Sequence, residues 1–226
     1  VAFAQQLQAF RPNLAGRHLG RDIAHDLVLG AYVVADDVEQ YLVRLARFVQ
    51  LGAGNPQAFL VHVARTGTDA VAADIGVGTG YFTMPLASEV ARIYAVDIQQ
   101  EMLDIVERRV KQRGLESVET VLGTVTDVGL PSSAIDLIFI VDAYHEFSHP
   151  FEMGLSMVDA LKPGGKLVLI EYRMEDQRVP IKRLHKMSQR QAKKEMKVIG
   201  LEWIETREFL PQQHFMVFQK PSAAGL

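Results

Sequence analysis

From Ala70 onward, short apolar runs alternate with segments whose apolar residues recur at helical spacing, and this alternation restricts the fold more than any other feature of the chain. Strands are expected at Val71–Asp74, Arg92–Asp97, Val118–Leu122, Ile135–Val141, Lys166–Tyr172, Leu201–Glu205 and Phe215–Gln219. Between them, Met102, Val106 and Val110 recur every four residues before Gly114, and Phe151, Leu155, Val158 and Leu161 form a stripe before Pro163-Gly164-Gly165. Continuous apolar strands need cover on both faces, so the expected fold is α/β, a doubly wound and mostly parallel sheet. The segment REFLPQQ leaves no room for a helix between the last two strands, which therefore pair antiparallel at one edge. Ser188 with Gln191 forms a capping box, and Ala192, Met196 and Ile199 make the buried stripe of a helix ending at Gly200.

Residues 1–65 differ in texture and read as a helical N-terminal extension, a lid or a dimer contact, ahead of a sheet domain at 66–226. Asp36 with Glu39 has the form of a capping box before Val38, Tyr41, Leu42, Leu45 and Val49, and Gly52 offers a stop. Asn55-Pro56 opens a second short helix. With 48% hydrophobic residues in 226, a packed soluble core is expected. The longest apolar run, Leu137–Val141, is too short to span a bilayer, and the N-terminus shows no signal-peptide pattern. A cytoplasmic protein is expected, although the start at Val1 leaves a trimmed N-terminus open. A net charge of −3 gives no pull toward nucleic acid or anionic membrane, and none is expected as a partner. Arg190, Lys193, Lys194 and Lys197 fall on the outer face of the last helix without interleaved aromatics, which reads as a solvated surface. The absence of cysteine removes disulfides, zinc-thiolate sites and thiol nucleophiles, and no metal site is assigned.

The stretch DIGVGTGYF, Asp74 to Phe82, stands between the first strand and a helical segment, at the sheet end where such folds bind ligands. Glycines there let the backbone approach a ligand and adopt positive φ. A P-loop needs Gly-Lys-Ser/Thr, but Tyr81 and Phe82 follow Gly80. A dinucleotide fingerprint needs a third glycine where Tyr81 stands. Asp97, closing the second strand, suits ribose hydroxyls of either a nicotinamide or an S-adenosyl cofactor. Asp74 favours the latter, because a carboxylate beside the turn attracts a cationic aminoacyl end and repels a pyrophosphate.

Together, VAADIGVGTGYF, IYAVDIQQEML, IDLIFIVDAYHEFSHP and ALKPGGKLVLIEYR resemble the successive motifs of class I S-adenosylmethionine-dependent methyltransferases. The similarity is to the small-molecule subgroup related to ubiquinone/menaquinone methyltransferases and covers about residues 66–220. It implies a seven-stranded Rossmann-like sheet in the order 3-2-1-4-5-7-6 with strand 7 antiparallel. It implies that Asp74, Gly76, Gly78 and Gly80 wrap the methionine portion, with Tyr81 beside them. Asp97 would take the ribose and Ile98 would lie against adenine. Many relatives carry Gly-Asp after the third strand; here Gly123 is followed by Thr124, so Thr124 and Asp127 are the candidates for the adenine edge. Asp142 would orient the cofactor amino group or its own loop.

Methyl transfer from a sulfonium is an in-line displacement served mainly by positioning, with a base required only where the nucleophile carries a proton. His145, just past the fourth strand, is the first candidate base because an unperturbed imidazole titrates near neutral pH. Tyr144 is a second candidate at the reacting end, Glu146 reads as solvated, and His149-Pro150 reads as a helix start. Glu171 and Tyr172 would wall the acceptor pocket, while Lys182, Arg183, His185 and Lys186 on its rim would attract an anionic acceptor. The expected function is methyl transfer to a small molecule. An NAD-dependent oxidoreductase is disfavoured by Asp74 and Tyr81, and a non-catalytic scaffold by the intact turn and Asp97.

Overall fold

The structure, a computed structural model, describes residues 69–222. The helices expected within 1–65 lie outside the described residues. Among the described residues, Gly114, His149-Pro150, Ser188 and Gly200 stand at the ends of helices. Strand β1 (Val71–Ile75) is followed by a glycine turn and a short helix α1 (Thr83–Leu86), then β2 (Arg92–Asp97). Helix α2 (Gln100–Arg113) stops at Gly114, whose φ of 63° is the left-handed C-cap conformation. Strands β3 (Val118–Leu122) and β4 (Ile135–Val141) follow, then a 3-10 turn over Tyr144–Glu146. Helix α3 (Pro150–Ala160) starts with His149 as N-cap and proline at its first turn, where the missing N–H costs nothing.

Strand β5 (Leu161–Arg173) includes Pro163-Gly164-Gly165 and its register against β4 shifts there. After it come a 3-10 turn (Arg183–His185), the two-residue strand β6 (Lys186–Met187) and helix α4 (Gln189–Val198). Ser188 Oγ accepts from the Gln191 backbone N–H at 3.1 Å, as the capping pattern predicts. Strands β7 (Glu202–Arg207) and β8 (Gln213–Gln219) complete the sheet.

The strand order is β3-β2-β1-β4-β5-β8-β7, with β6 beside β5. This is the expected order once the unanticipated β6 is added to the count. β8 runs antiparallel to both β5 and β7, and the remaining pairings are parallel. Alternate strand residues part to opposite faces. Ala73, Ile75, Tyr94, Val96, Ile138, Ile140, Leu167 and Leu169 pack with α3 and α4, whereas Ala95 packs with Leu103 and Val106 of α2.

One helix face differs from the sequence expectation. Phe151 and Leu155 of α3 are about half exposed, at 49% and 45%, and the buried face is Met153, Gly154, Met157 and Ala160. The reason is Gly154: a Cβ there would lie 2.8 Å from Ile199 Cδ1, so only the glycine-bearing side approaches α4 this closely.

Candidate active site

Strand β1 lies between β2 and β4, so the chain leaves it in opposite directions and opens a crevice at the carboxyl ends of β1 and β4. The turn after β1 lines that crevice. Gly76, Gly78 and Gly80 all have positive φ, at 73°, 52° and 77°. Gly76 also lacks room: an added Cβ would come within 2.7 Å of Ala143 Cβ, on the loop after β4. Gly78 instead meets nothing within 4 Å, so its backbone is the open part of the cradle.

Two carboxylates flank this turn. Asp74 is buried and accepts from Thr83 Oγ1 at 2.6 Å. Burial pushes its pKa up to about 7; the Thr83 bond lowers it, and the charge of Asp97 raises it further. Asp97 accepts from Gly78 N at 3.0 Å through Oδ2 and from Gln99 N at 3.0 Å through Oδ1. Its pKa is also raised by burial, against the lowering effect of these backbone donors. Two carboxyls held partly against their charge favour a ligand carrying positive charge and disfavour a pyrophosphate. Beyond Asp97, Ile98 keeps 50% of its surface, an apolar platform at the carboxyl end of β2. Glycines, paired acids and platform fit S-adenosylmethionine.

Thr124 is exposed and its backbone N–H donates to Asp127 O at 2.8 Å. Asp127 Oδ1 accepts from Ser156 Oγ at 2.7 Å and from Gly129 N at 2.9 Å, bonds that lower its pKa and tie the loop to α3. Tyr81 is half-buried, edge-on to Phe82 with ring centroids 5.1 Å apart. Asp142, at φ 50°, accepts from Gln213 Nε2 of β8 at 2.6 Å.

In the 3-10 turn after β4, His145 Nδ1 lies 2.7 Å from Glu171 Oε2, and its backbone N–H donates to Glu171 Oε1 at 3.3 Å. His145 Nε2 lies 3.1 Å from His185 Nδ1 and 3.6 Å from Glu146 Oε1. Burial by itself would lower the His145 pKa, but the bonds to Glu146 and Glu171 outweigh it and push the imidazole up to about 9. These carboxylates favour a proton on the ring that the sequence marks as the first candidate base.

Tyr144, the second candidate in this turn, packs inward. It is 3% exposed within the main core, and its phenol bonds to Glu195 of α4; burial, then the Glu195 charge, raises its pKa. Glu171 is fully buried behind His145, and Tyr172 is buried beside it. Lys182 is exposed on the rim, while His185 folds inward to His145. The sequence singles out neither Thr83 nor Gln213, and it marks Glu146 only as solvated. Their partners are fixed by strand order and loop geometry, and no short motif encodes them.

The sheet order, glycine cradle and paired acids define a class I methyltransferase fold with an adenosyl-cofactor crevice. Residues 73–169 match the family described as a methyltransferase domain. An uncharacterized methyltransferase-like protein of Schizosaccharomyces pombe is 30% identical over 134 residues, 58% of this chain and 50% of that protein. A demethylmenaquinone methyltransferase of Geobacillus is 29% identical over 103 residues, 44% of each chain. The chain thus spans about half the length of these curated relatives. A solved S-adenosylmethionine-dependent methyltransferase from Aquifex aeolicus superposes with a TM-score of 0.65 at 23% identity, covering 73% of this chain and 88% of the other. Residues 73–169 are thus similar to a methyltransferase domain, on a fold shared with a solved S-adenosylmethionine-dependent methyltransferase. Among the described residues, no helix is long and apolar enough to cross a membrane.

Proposed function

We propose that this chain transfers a methyl group from S-adenosylmethionine to a small molecule whose nucleophile is an oxygen held near His145. The observation that carries the donor half is the pair Asp74 and Asp97 at a turn of left-handed glycines. When bound, the cofactor supplies a sulfonium methyl: an acceptor lone pair forms the new bond, the S–C electrons return to sulfur, and the acceptor proton leaves to solvent. Asp74 meets the positive aminoacyl end, Asp97 the ribose, and Ile98 the adenine. His145, fixed by Glu171 from behind, turns Nε2 toward His185 and Glu146, where the acceptor oxygen is held. Lys182 and Arg183 on the exposed rim draw an anionic acceptor in.

The name of the Geobacillus relative supports a small-molecule acceptor. The same reading takes the protein as cytoplasmic, without a nucleic-acid partner, and residues 1–65 as a lid or dimer contact. Calorimetry with S-adenosylhomocysteine, followed by mass-detected screening of small acceptors, tests it. Binding of the homocysteine product is expected. Preference for NAD, or no binding at saturating product, would sink the proposal. His145→Ala should lower turnover much more than product affinity; equal losses would mark His145 as structural.

A further inference from the structure

Two imidazole nitrogens 3.1 Å apart, His145 Nε2 and His185 Nδ1, cannot face each other with both lone pairs bare. A proton or a cation has to lie between them. The surroundings favour a site built for the second. Glu146 offers a carboxylate oxygen 3.6 Å from His145 Nε2, and donor atoms of His145, Glu146 and His185 all lie within 4.8 Å of one another. A tetrahedral ion with ligands at the usual distances spaces its donors about 3.3 Å apart, and the 3.1 and 3.6 Å separations from His145 Nε2 bracket that spacing.

The fourth feature is Glu171. Its fully buried carboxylate takes the other ring nitrogen of His145 at 2.7 Å and also the His145 backbone N–H. A carboxylate on Nδ1 keeps the proton there, leaving the Nε2 lone pair free for an ion, and fixes the plane of the ring. This is the outer-shell support that metal-bound histidines generally have. The ligands come from the two 3-10 turns that follow β4 and β5, so strand packing sets their separation rather than one flexible loop. Two histidines and one carboxylate also leave a tetrahedral ion with one exchangeable position, as in catalytic rather than structural sites.

We propose that His145, Glu146 and His185 bind a divalent ion of the zinc class, with Glu171 as the residue that positions His145. The turn bearing His145 also packs against the donor crevice through Ala143 at Gly76, so the ion sits on the acceptor side of that crevice. Resting on the methyl-transfer reading, the open position takes the acceptor's oxygen. An oxygen so held loses its proton to solvent more readily and attacks as the anion. The acceptors selected are then hydroxyl-bearing or acidic-oxygen compounds able to ligate a metal.

The test is titration of the full chain, freed of metal by a chelator, with Co²⁺, read by the visible absorption of a tetrahedral nitrogen/oxygen site, and with Zn²⁺ by calorimetry. One ion per chain is expected. Glu171→Gln should weaken binding about 10–100-fold without touching the ion. His185→Ala should remove the absorption. Glu146→Gln, a milder change on a half-exposed side chain, should weaken binding and carries little risk to folding. His149→Ala, an exposed histidine outside the cluster, should change nothing. No saturable one-to-one binding by the wild type overturns the proposal, as does unchanged affinity in His185→Ala and Glu146→Gln. S-adenosylhomocysteine calorimetry runs in parallel. Product binding without metal binding overturns only the metal site; metal binding without product binding overturns only the methyl-transfer reading.

Discussion

Lowering the pH from 8 to 6 should weaken S-adenosylhomocysteine binding about tenfold through Asp74 alone. In the free protein this carboxyl is pushed up to about 7, with burial as the main cause, so it is largely ionised at pH 8 and largely protonated at pH 6. A ligand whose ammonium pairs with the carboxylate selects the ionised form. Binding then costs the work of removing a proton wherever the pH lies below the pKa. The ionised fraction falls from roughly nine-tenths to roughly one-tenth across that interval, equivalent to about 1.4 kcal/mol. Isothermal titration at both pH values, in buffers of different ionisation enthalpy, reads the affinity and the proton released on binding.

Folding responds in the opposite sense. Because the folded pKa is raised, the contribution of Asp74 to stability is fully present below the unfolded value of 3.8 and is lost as pH rises through about 7. Asp74→Asn should therefore flatten both profiles. It should lower product affinity at pH 8 while making thermal stability less sensitive to pH between 6 and 8. A wild-type affinity constant to within a factor of about two, with no proton release, would refute the reasoning. So would an Asn variant that kept the wild-type slope.

Gly76→Ala and Gly78→Ala should separate packing from ligand approach. The first adds a left-handed alanine and a 2.7 Å contact with Ala143, and should lose about 2–4 kcal/mol in denaturant unfolding. The second adds a methyl facing open space, and should lose only about 1–2 kcal/mol while product affinity in calorimetry collapses. Ser188→Ala removes the acceptor of the Gln191 N–H and should cost about 1 kcal/mol, read as a lower Tm with product affinity unchanged.

Elements whose physics is local were legible in the sequence. The Gly114 stop, the Ser188 cap and the proline start of α3 depend on residues within a turn or two of each other, and each falls where the pattern placed it, whereas β5 begins at Leu161 rather than Lys166 and β6 carries no signal of its own. The glycine turn was legible for the same reason, because positive φ is a property of single residues. Tertiary structure decided the rest. Helix α3 carries apolar residues on more than one side, so periodicity did not choose between Phe151 with Leu155 and Met153 with Met157; contact of Gly154 with Ile199 did. Asp142 and Gln213 are 71 residues apart, and His145 is 26 from Glu171 and 40 from His185. Their meeting follows from β4, β5 and β8 lying side by side. The raised pKa values of His145 and Asp74 were equally beyond spacing, because a pKa is set by burial and by the charges a fold brings near. The sequence therefore determined the sheet and the glycine cradle, while the charge and geometry around His145 arose only from strands packed against one another.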